Sequence, residues 1–318
     1  MDLRHLRAFV TIVDAGGFAR AAARLNLSQP ALSRQIGALE AALDVQLFDR
    51  LGRRVQLTAE GEDLLRRARG LLTDAESLGE RARALKGGQA GVLRVGATPQ
   101  AMETLLAGFL ARYRRRHPGV EVHLVEDGGI RLAPLQARGD VHLALTASAD
   151  ARFRRRLLAP LYVLAVVPKS SRLGRGPTLE IAALAEIPLL LPRRDFASRG
   201  WFDAACQIAH LRPRVLLESG APSTLVALAQ AAYGVAIVPS NVRIPRGAVR
   251  AVPLVQDGVP IGRWLSLAWD PRRFLAPYAE QFVEELVAYA RRPSVRPGPT
   301  RRAPPLPRPT ESSSMLEV

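Results

Sequence analysis

The connection between the second and third predicted helices is only three residues long, Asn26-Leu27-Ser28. A turn this short holds two helices together against one core, as in a helix-turn-helix. Ser28 can accept a hydrogen bond from a backbone N–H one turn into the helix. Pro30 suits the first turn because its missing N–H would go unused there. The third helix is therefore predicted to begin near Gln29.

This third helix is amphipathic. Its apolar stripe consists of four residues spaced 4, 3 and 4 positions apart, namely Leu32, Ile36, Leu39 and Leu43. At about 100° per residue, Pro30 and Arg34 project almost opposite the stripe, and Ser33 flanks them. The polar face therefore has to contact something other than the core, which makes this pair of helices a candidate for DNA binding.

A two-stranded wing is predicted after the third helix. The segments VQLF and VQL alternate apolar and polar residues as strands do, and RLGRR between them is typical of a hairpin tip. Such a wing would place Arg50, Arg53 and Arg54 beside the same surface as Arg34. Residues 1–58 are thus expected to form a winged helix-turn-helix.

Residues 59–90 are predicted to form a long linker helix with a heptad seam, capped by Thr58, together with the glycine-rich hinge KGGQAG that starts at residue 86. Leucine and alanine alternate along this seam, at Leu64, Ala68, Leu71, Ala75, Leu78, Ala82 and Leu85. The pattern indicates a helix that packs along another helix, and we favour a dimerisation helix. The alternative is a long helix that lies on its own domain.

Strands and helices alternate from Val92 onward, which predicts an α/β domain with a largely parallel sheet over residues 91–292. The last stretch, residues 293–318, is dominated by Pro, Arg, Ser and Thr and is predicted to be a disordered tail. Loose contact of its arginines with DNA is the alternative role for this tail.

The composition excludes several classes of protein but does not identify a single function. The net charge of +16 suggests a polyanionic partner, but the excess is spread along the chain and is weak support for nucleic acid. A single cysteine, Cys206, excludes an internal disulfide framework and a cysteine-based metal cluster. The sequence has no apolar run near 18 residues and no leader-like start, so a cytoplasmic protein without a membrane segment is expected.

The N-terminal region closely resembles that of the LysR-type transcriptional regulators, and the resemblance extends from residue 1 to about residue 290. The residues that carry it most strongly are LRHLRAFVTIVDAGGFARAAARLNLSQPALSRQIGALEAALDVQLFDRLGRRVQLTAEGE. The resemblance implies a winged helix-turn-helix, a long linker helix for dimerisation, and a two-lobed α/β effector domain similar to periplasmic binding proteins. It also implies dimers of dimers that control transcription when a small molecule enters the cleft between the lobes.

The same resemblance implies roles for individual residues of the DNA-binding domain. Gln29, Pro30, Ser33 and Arg34 stand where the family's recognition helix meets bases and phosphates, and Arg53, with Arg50 nearby, belongs to the wing. Arginine can pair with guanine, glutamine with adenine, and apolar methylene groups with thymine methyls. The alternative for each is a solvated surface residue. Gly37 departs from the long polar residue common in relatives, which removes one phosphate contact.

The candidate residues for binding the effector lie where predicted strands end. Thr98 and the N–H of Gln100 lie at the positive end of a predicted helix, which favours a carboxylate. Gly129 opens the next helix at the same sheet edge, and from the second lobe the segment RRDFASRG places Phe196, Ser198 and Arg199 on a loop toward the cleft. The alternative is capping or surface roles. Ile130 replaces the serine or threonine common in relatives, which argues against a strongly polar ligand.

Two other classes of protein compete with a regulator. An enzyme is disfavoured because the sequence has no phosphate-binding glycine loop, no G-x-S-x-G motif and no metal-ligand spacing among its histidines. An exported solute-binding protein would not explain residues 1–58. We therefore expect no catalytic residue, cofactor or metal. The expected partners are double-stranded promoter DNA, a small organic acid, further copies of the chain and RNA polymerase.

Overall fold

The computed structural model describes residues 1–49, 55–85, 90–148, 150–245, 247–292, 300 and 303–308. The chain divides into two compact units, Met1–Gly88 and Gln89–Val318. The elements of the first unit are α1 (Leu3–Ala15), α2 (Phe18–Arg24), α3 (Gln29–Leu43), β1 (Phe48–Asp49), β2 (Gln56–Leu57) and α4 (Ala59–Leu85).

The core of the first unit forms where α1, α2 and α3 meet. Phe9 and Ile12 of α1 pack with the predicted stripe of α3, of which Leu32, Ile36 and Leu39 are buried. Helix α3 begins at Gln29, as predicted, and the Ser28 hydroxyl accepts a hydrogen bond from the Ala31 N–H at 3.3 Å. The local capping and stripe arguments are thus confirmed.

Two polar side chains connect the wing to the helices through hydrogen bonds. Glu40 is buried at the end of α3, and its Oε1 accepts hydrogen bonds from the backbone N–H groups of Leu47 (2.8 Å) and Phe48 (3.4 Å). The Thr58 hydroxyl donates to the Gln46 carbonyl at 2.7 Å and accepts from the Gly61 N–H at 2.9 Å, which caps α4. Strands β1 and β2 pair antiparallel, as predicted, and the hairpin tip between them lies outside the described residues.

Helix α4 is buried along only part of the predicted seam. Ala68 is buried and Leu64 is partly buried against the core of the first unit, and Arg69 forms an ion pair with Asp14 of α1. This part of the helix lies on its own unit. Further along, Leu71 is 49% and Leu78 70% exposed, so the rest of the seam remains available. The side chain of Leu85 lies outside the described residues.

The second unit is built on a mixed sheet with the strand order β4-β3-β5-β13-β6-β10-β8-β9, and β11 joins it beside β6. Its strands are β3 (Gly91–Ala97), β4 (Val120–Glu126), β5 (Leu143–Thr146), β6 (Arg154–Pro168), β7 (Leu179–Glu180), β8 (Pro188–Pro192), β9 (Arg214–Ser219), β10 (Val235–Pro239), β11 (Val249–Gln256), β12 (Val259–Pro260) and β13 (Gly262–Trp269). Its helices are α5 (Pro99–Ala101), continued by a π-helical turn (Met102–Leu106) into α6 (Ala107–Arg116), α7 (Gly129–Arg138), a 3-10 turn (Ile181–Leu184), α8 (Ala197–Ile208), α9 (Pro222–Gln230) and α10 (Pro277–Ala290).

This unit has two lobes that share long crossing strands. In lobe I, β3, β4 and β5 carry α5, α6, α7 and α10, and in lobe II, β8, β9 and β10 carry α8 and α9. Strand β6 pairs with β13 over its first part and with β10 and β11 over its second part. The predicted parallel pairing holds between neighbouring strands within each lobe, whereas β6 pairs antiparallel with β10, β11 and β13, so the sheet as a whole is mixed.

Part of the predicted tail is ordered against lobe II. Residues 303–308, which we call the C-terminal strap, follow α10, and Leu306 is only 6% exposed in an apolar cluster with Tyr162, Leu164 and Val166 of β6. The prediction of disorder for residues 293–318 is therefore wrong for the strap, because its leucine has a core to enter. Apart from Thr300, the rest of that range lies outside the described residues.

Candidate DNA-binding face and effector cleft

Four of the predicted DNA contacts form one outward face of α3. Gln29, Pro30, Ser33 and Arg34 are all exposed, opposite the buried stripe. Residues separated by four positions lie one turn apart on the same side of a helix, so these side chains form a continuous surface. The other two predicted contacts, Arg50 and Arg53, lie outside the described residues.

The outward face of α3 is positively charged. Glu40 is the helix's only acidic residue, and it is buried with its carboxylate on the wing backbone. Within the described part of the chain, no hydrogen bond or ion pair engages the Arg34 guanidinium. By contrast, Arg20 of α2 donates from Nη2 to the Gly16 carbonyl at 2.6 Å, so it caps the end of α1. Arg34 is therefore available for an external partner.

Two turns of lobe I meet at the carboxyl edge of its parallel strands. Thr98 follows β3, and its hydroxyl accepts from the Ala101 N–H at 3.3 Å, which caps the helix that begins at Pro99. Gly129 begins α7, and a Cβ placed on it would lie 3.8 Å from Thr98 Cγ2. Thr98 and Gly129 are thus neighbours, and Gln100 lies half-buried in the turn after Thr98. Open α/β sheets bind ligands at such an edge.

A turn of lobe II approaches the same place. A Cβ on Gly129 would also lie 3.8 Å from Ala197 Cβ, and one on Gly128 would lie 3.6 Å from the Asp195 carbonyl oxygen. An ion pair across the lobes joins Arg131 Nη2 to Asp195 Oδ2 at 3.5 Å. The structure therefore brings the predicted Thr98 and Gly129 next to the start of α8. The interlobe pair was not among the predicted residues, since it depends on a contact between lobes.

Phe196 and Ser198 lie at the start of α8 rather than on a loop. Phe196 is the N-cap residue and is half-buried. Ser198 is 5% exposed, and its hydroxyl has no hydrogen-bond partner among the described residues, nor has Asp195 Oδ1. Buried polar atoms are usually hydrogen-bonded, so these two unpaired atoms are candidates for contact with a ligand.

Arg199 does not face the cleft as predicted. It is 4% exposed, and its guanidinium donates to Asp203 Oδ1 (2.8 Å), to the Pro192 carbonyl (2.9 Å) and to Glu218 Oε1 (2.7 Å). Burial disfavours its charged form, but the hydrogen bonds to Asp203 and Glu218 outweigh burial, so the pKa of Arg199 is raised. Arg199 therefore joins α8 to β8 and β9, and we do not propose it as an effector ligand.

The single cysteine is placed to be unreactive. Cys206 is buried in α8, and burial, together with the nearby Asp203 carboxylate, raises the pKa of its thiol to about 11. Because the thiolate is the nucleophile, we expect Cys206 in the folded protein to react with a disulfide reagent at pH 8 about 100-fold more slowly than free cysteine. Stopped-flow measurement tests this, with the urea-unfolded chain as the fast control. Equal rates in both states would contradict it.

Three hydrogen-bonded histidines are dispersed rather than gathered at one site. His117 Nε2 contacts Glu285 (2.7 Å), His123 Nε2 contacts Glu121 (2.7 Å), and His142 Nδ1 accepts from the Arg94 N–H (3.3 Å). Burial is the main cause that lowers the pKa of His142 to about 4, so it is neutral at pH 7. Among the described residues, no group of three His, Cys, Asp or Glu side chains is arranged to hold a metal ion.

Two protein families match this chain. Residues 3–62 match the bacterial regulatory helix-turn-helix protein, LysR family, and residues 86–291 match the LysR substrate binding domain. In the part of the chain that the structure describes, no helix has both the length and the apolar character needed to cross a membrane.

Similar proteins align over most of the chain. It is 31% identical over 289 residues to the uncharacterized HTH-type transcriptional regulator YnfL of Escherichia coli, covering 89% of this chain and 96% of that protein. It is 34% identical over 270 residues to the HTH-type transcriptional regulator IlvR of Caulobacter vibrioides, and the alignment covers 81% of this chain and 90% of that protein. Among solved structures, full-length CbnR complexed with its target DNA is similar, with a TM-score of 0.61 and 26% identity. The match covers 91% of this chain and 100% of the CbnR chain. A full-length OxyR variant from Pseudomonas aeruginosa shares the fold, with a TM-score of 0.70 at 24% identity. The match covers 93% of this chain and 96% of the OxyR chain.

Proposed function

The chain belongs to the LysR family of DNA-binding transcriptional regulators with an effector-binding domain, and we propose which of its residues bind DNA, pair the copies and bind the effector. Helix α3 reads an operator with its outward face, α4 pairs two copies of the chain, and a small molecule binds where the two lobes meet. The observation that carries the proposal is the exposed polar face of α3, on which Arg34 has no hydrogen bond or ion pair with any described residue.

We assign the DNA contacts by their chemistry. Arg34 can donate two parallel hydrogen bonds to guanine, Gln29 can pair with adenine, and Pro30 and Ser33 can contact thymine methyls or phosphates. The N-terminus of α3 adds a partial positive charge where a phosphate would lie. Arg50 and Arg53 of the wing are proposed as further contacts on the sequence pattern alone. A dimer would place two such helices on a short inverted repeat.

The effector is proposed to be a small organic acid. The Thr98 and Ser198 hydroxyls can donate hydrogen bonds, and the helix N-termini after Thr98 and after Phe196 favour a negative charge. Asp195 Oδ1 is a buried acceptor, so an acid that also carries a hydroxyl or amino group would satisfy it. Gln100, Gly129 and Phe196 complete the proposed lining.

We also propose where the protein acts, in which oligomeric state and on which partner. Such a regulator works in the cytoplasm, where promoter DNA is, as a dimer or a dimer of dimers that acts on RNA polymerase. We propose that it is not an enzyme and uses no cofactor, because two titratable side chains of the second unit that could serve catalysis instead form structural hydrogen bonds. Arg199 joins elements of lobe II, and His142 accepts a backbone hydrogen bond.

Selection of bound duplexes from a random pool by the purified full-length protein tests this function. The selection is run at moderate salt, because non-specific binding by arginines weakens steeply as salt rises. Enrichment of a short inverted repeat is the expected result. Absence of any enriched motif, both with and without residues 293–318 and across a panel of small organic acids, would contradict the proposal.

A substitution at Gly37 is expected to increase the affinity of the protein for operator DNA. Apart from the adjacent residues and the backbone of its own helix, a Cβ on this residue would lie more than 4 Å from every atom of the described residues, and the residue is exposed on the proposed DNA face. We expect Gly37→Arg to raise affinity for the selected operator about 3- to 10-fold at low salt and to steepen the salt dependence by about one phosphate contact. Fluorescence anisotropy at several salt concentrations measures both quantities.

Gly37→Ala is the matched control for this change. It should stabilise α3 by roughly 1 kcal/mol, because glycine costs helix stability, while leaving the salt dependence unchanged. If Gly37→Arg and Gly37→Ala had the same salt dependence, this part of α3 would not lie near a phosphate.

A further inference from the structure

The C-terminal strap contacts lobe II through both polar and apolar groups. The Tyr162 hydroxyl donates to the Pro304 carbonyl at 3.1 Å, and Trp264 Nε1 donates to the Pro307 carbonyl at 3.0 Å. Between these two hydrogen bonds the Leu306 side chain is buried, and Arg308 Cζ lies 5.8 Å from the centre of the Trp264 ring. The strap is thus held at both ends and in the middle.

The surface beneath the strap is built by the crossing strands. Tyr162 of β6 and Gly262 of β13 are directly opposite in the antiparallel register, and Trp264 lies two residues further along β13. A Cβ on Gly262 would lie 3.0 Å from Leu306 Cδ1, so the missing side chain of this glycine makes room for the leucine. The same Cβ would lie 2.2 Å from the Leu161 carbonyl oxygen, so the two strands also approach closely there.

The strap has the composition of an extended ligand. Its sequence, APPLPR, contains three prolines, which fix φ near −65° and direct each preceding residue to an extended conformation. Such a segment loses little conformational entropy on binding, and its carbonyl groups remain free to accept hydrogen bonds. Aromatic grooves that donate from Tyr and Trp side chains are how folded domains bind proline-rich peptides.

We propose that Tyr162, Gly262 and Trp264 form a binding site for a proline-rich peptide, and that the chain's own strap occupies it. Helix α10, which precedes the strap, packs its Phe282 and Leu286 in the core of lobe I. Leu306 packs with Leu225 and Val226 of α9 in lobe II. The strap is therefore docked on lobe II, whereas the helix that precedes it in the sequence is packed in lobe I. This inference does not depend on the proposed DNA or effector binding.

A labelled peptide tests the site in the full-length chain. The probe is a fluorescein-labelled peptide of residues 300–309, TRRAPPLPRP, and the protein carries Leu306→Asp, which removes its own strap from the groove. We expect the peptide to bind this variant at least about 10-fold more tightly than the unmutated chain, whose tethered strap competes at an effective concentration of about millimolar. Fluorescence polarisation measures binding. A peptide with Leu306→Ser, of unchanged charge, should not bind.

Thermal unfolding of the variants provides a second measurement. Leu306→Asp should lower Tm by about 5 °C, because a charge replaces a buried leucine. Ile208→Asp, at an exposed apolar position of α8, is the matched control and should leave Tm nearly unchanged. A chain truncated after Arg292 should bind the peptide as Leu306→Asp does. Failure of both folded variants to bind, or equal binding by the unmutated chain, would overturn the proposal.

Discussion

Arg34→Ala is expected to weaken binding to the selected operator by about 1–3 kcal/mol, roughly 5- to 150-fold, and to relax the base preference at one position of each half-site. The guanidinium is exposed on the outward face of α3 and has no partner within the described part of the chain, so its removal costs no internal contact. Electrophoretic mobility shift on the operator and on its single-base variants measures both effects.

Two further variants separate base reading from charge. Arg34→Lys keeps the charge but loses the planar fork that pairs with guanine, so it should retain binding to random DNA and lose specificity. Arg66→Ala is the matched control, because Arg66 is also exposed in the first unit but pairs with Asp63 on α4. It should bind the operator as the unmutated chain does. Equal losses of Arg34→Ala on operator and random DNA would show that Arg34 contacts only a phosphate.

The double variant Leu71→Glu/Leu78→Glu is expected to be monomeric and to lose operator affinity by about 100-fold or more. Both leucines are largely exposed on α4 while the start of the same seam is buried in the first unit. Two charges in a heptad seam oppose its burial against a second helix. A monomer then loses the gain from binding two half-sites at once. Sedimentation velocity gives the mass, and anisotropy gives the affinity.

Arg66→Glu is the control for this double variant. It places an acidic side chain at an exposed position of α4 roughly opposite the seam, so the protein should remain oligomeric. A stable dimer of Leu71→Glu/Leu78→Glu would mean that another surface holds the copies together. A monomeric unmutated chain at micromolar concentration would remove the dimer from the proposed function.

Local chemistry made the DNA-binding unit predictable. The cap at Ser28 and the stripe of α3 depend on residues within four positions of one another, so the sequence places Gln29 and Arg34 on the outward face before any packing is known. The sequence likewise predicts the α/β domain from its alternation of strands and helices, whereas the two lobes are implied only by the family resemblance. It did not predict that β6 runs from Arg154 to Pro168 with antiparallel partners, because the pairing involves strands about 100 residues away.

Hydrophobic period and capping act over a few residues, so they suffice to predict the helix-turn-helix, the long helix and the alternation of strands and helices in the α/β domain. The two lobes of that domain are implied only by the resemblance to the LysR family. Contacts between distant residues determine the direction of individual side chains and the placement of the C-terminal tail, which local sequence leaves open. Arg199 could point to the cleft or to Asp203 and Glu218, and its position along the chain does not distinguish these directions. A proline-rich tail has the same composition whether it is free or docked. The strap is ordered because distant residues, Tyr162 and Trp264, meet its carbonyl groups and give Leu306 a core to enter.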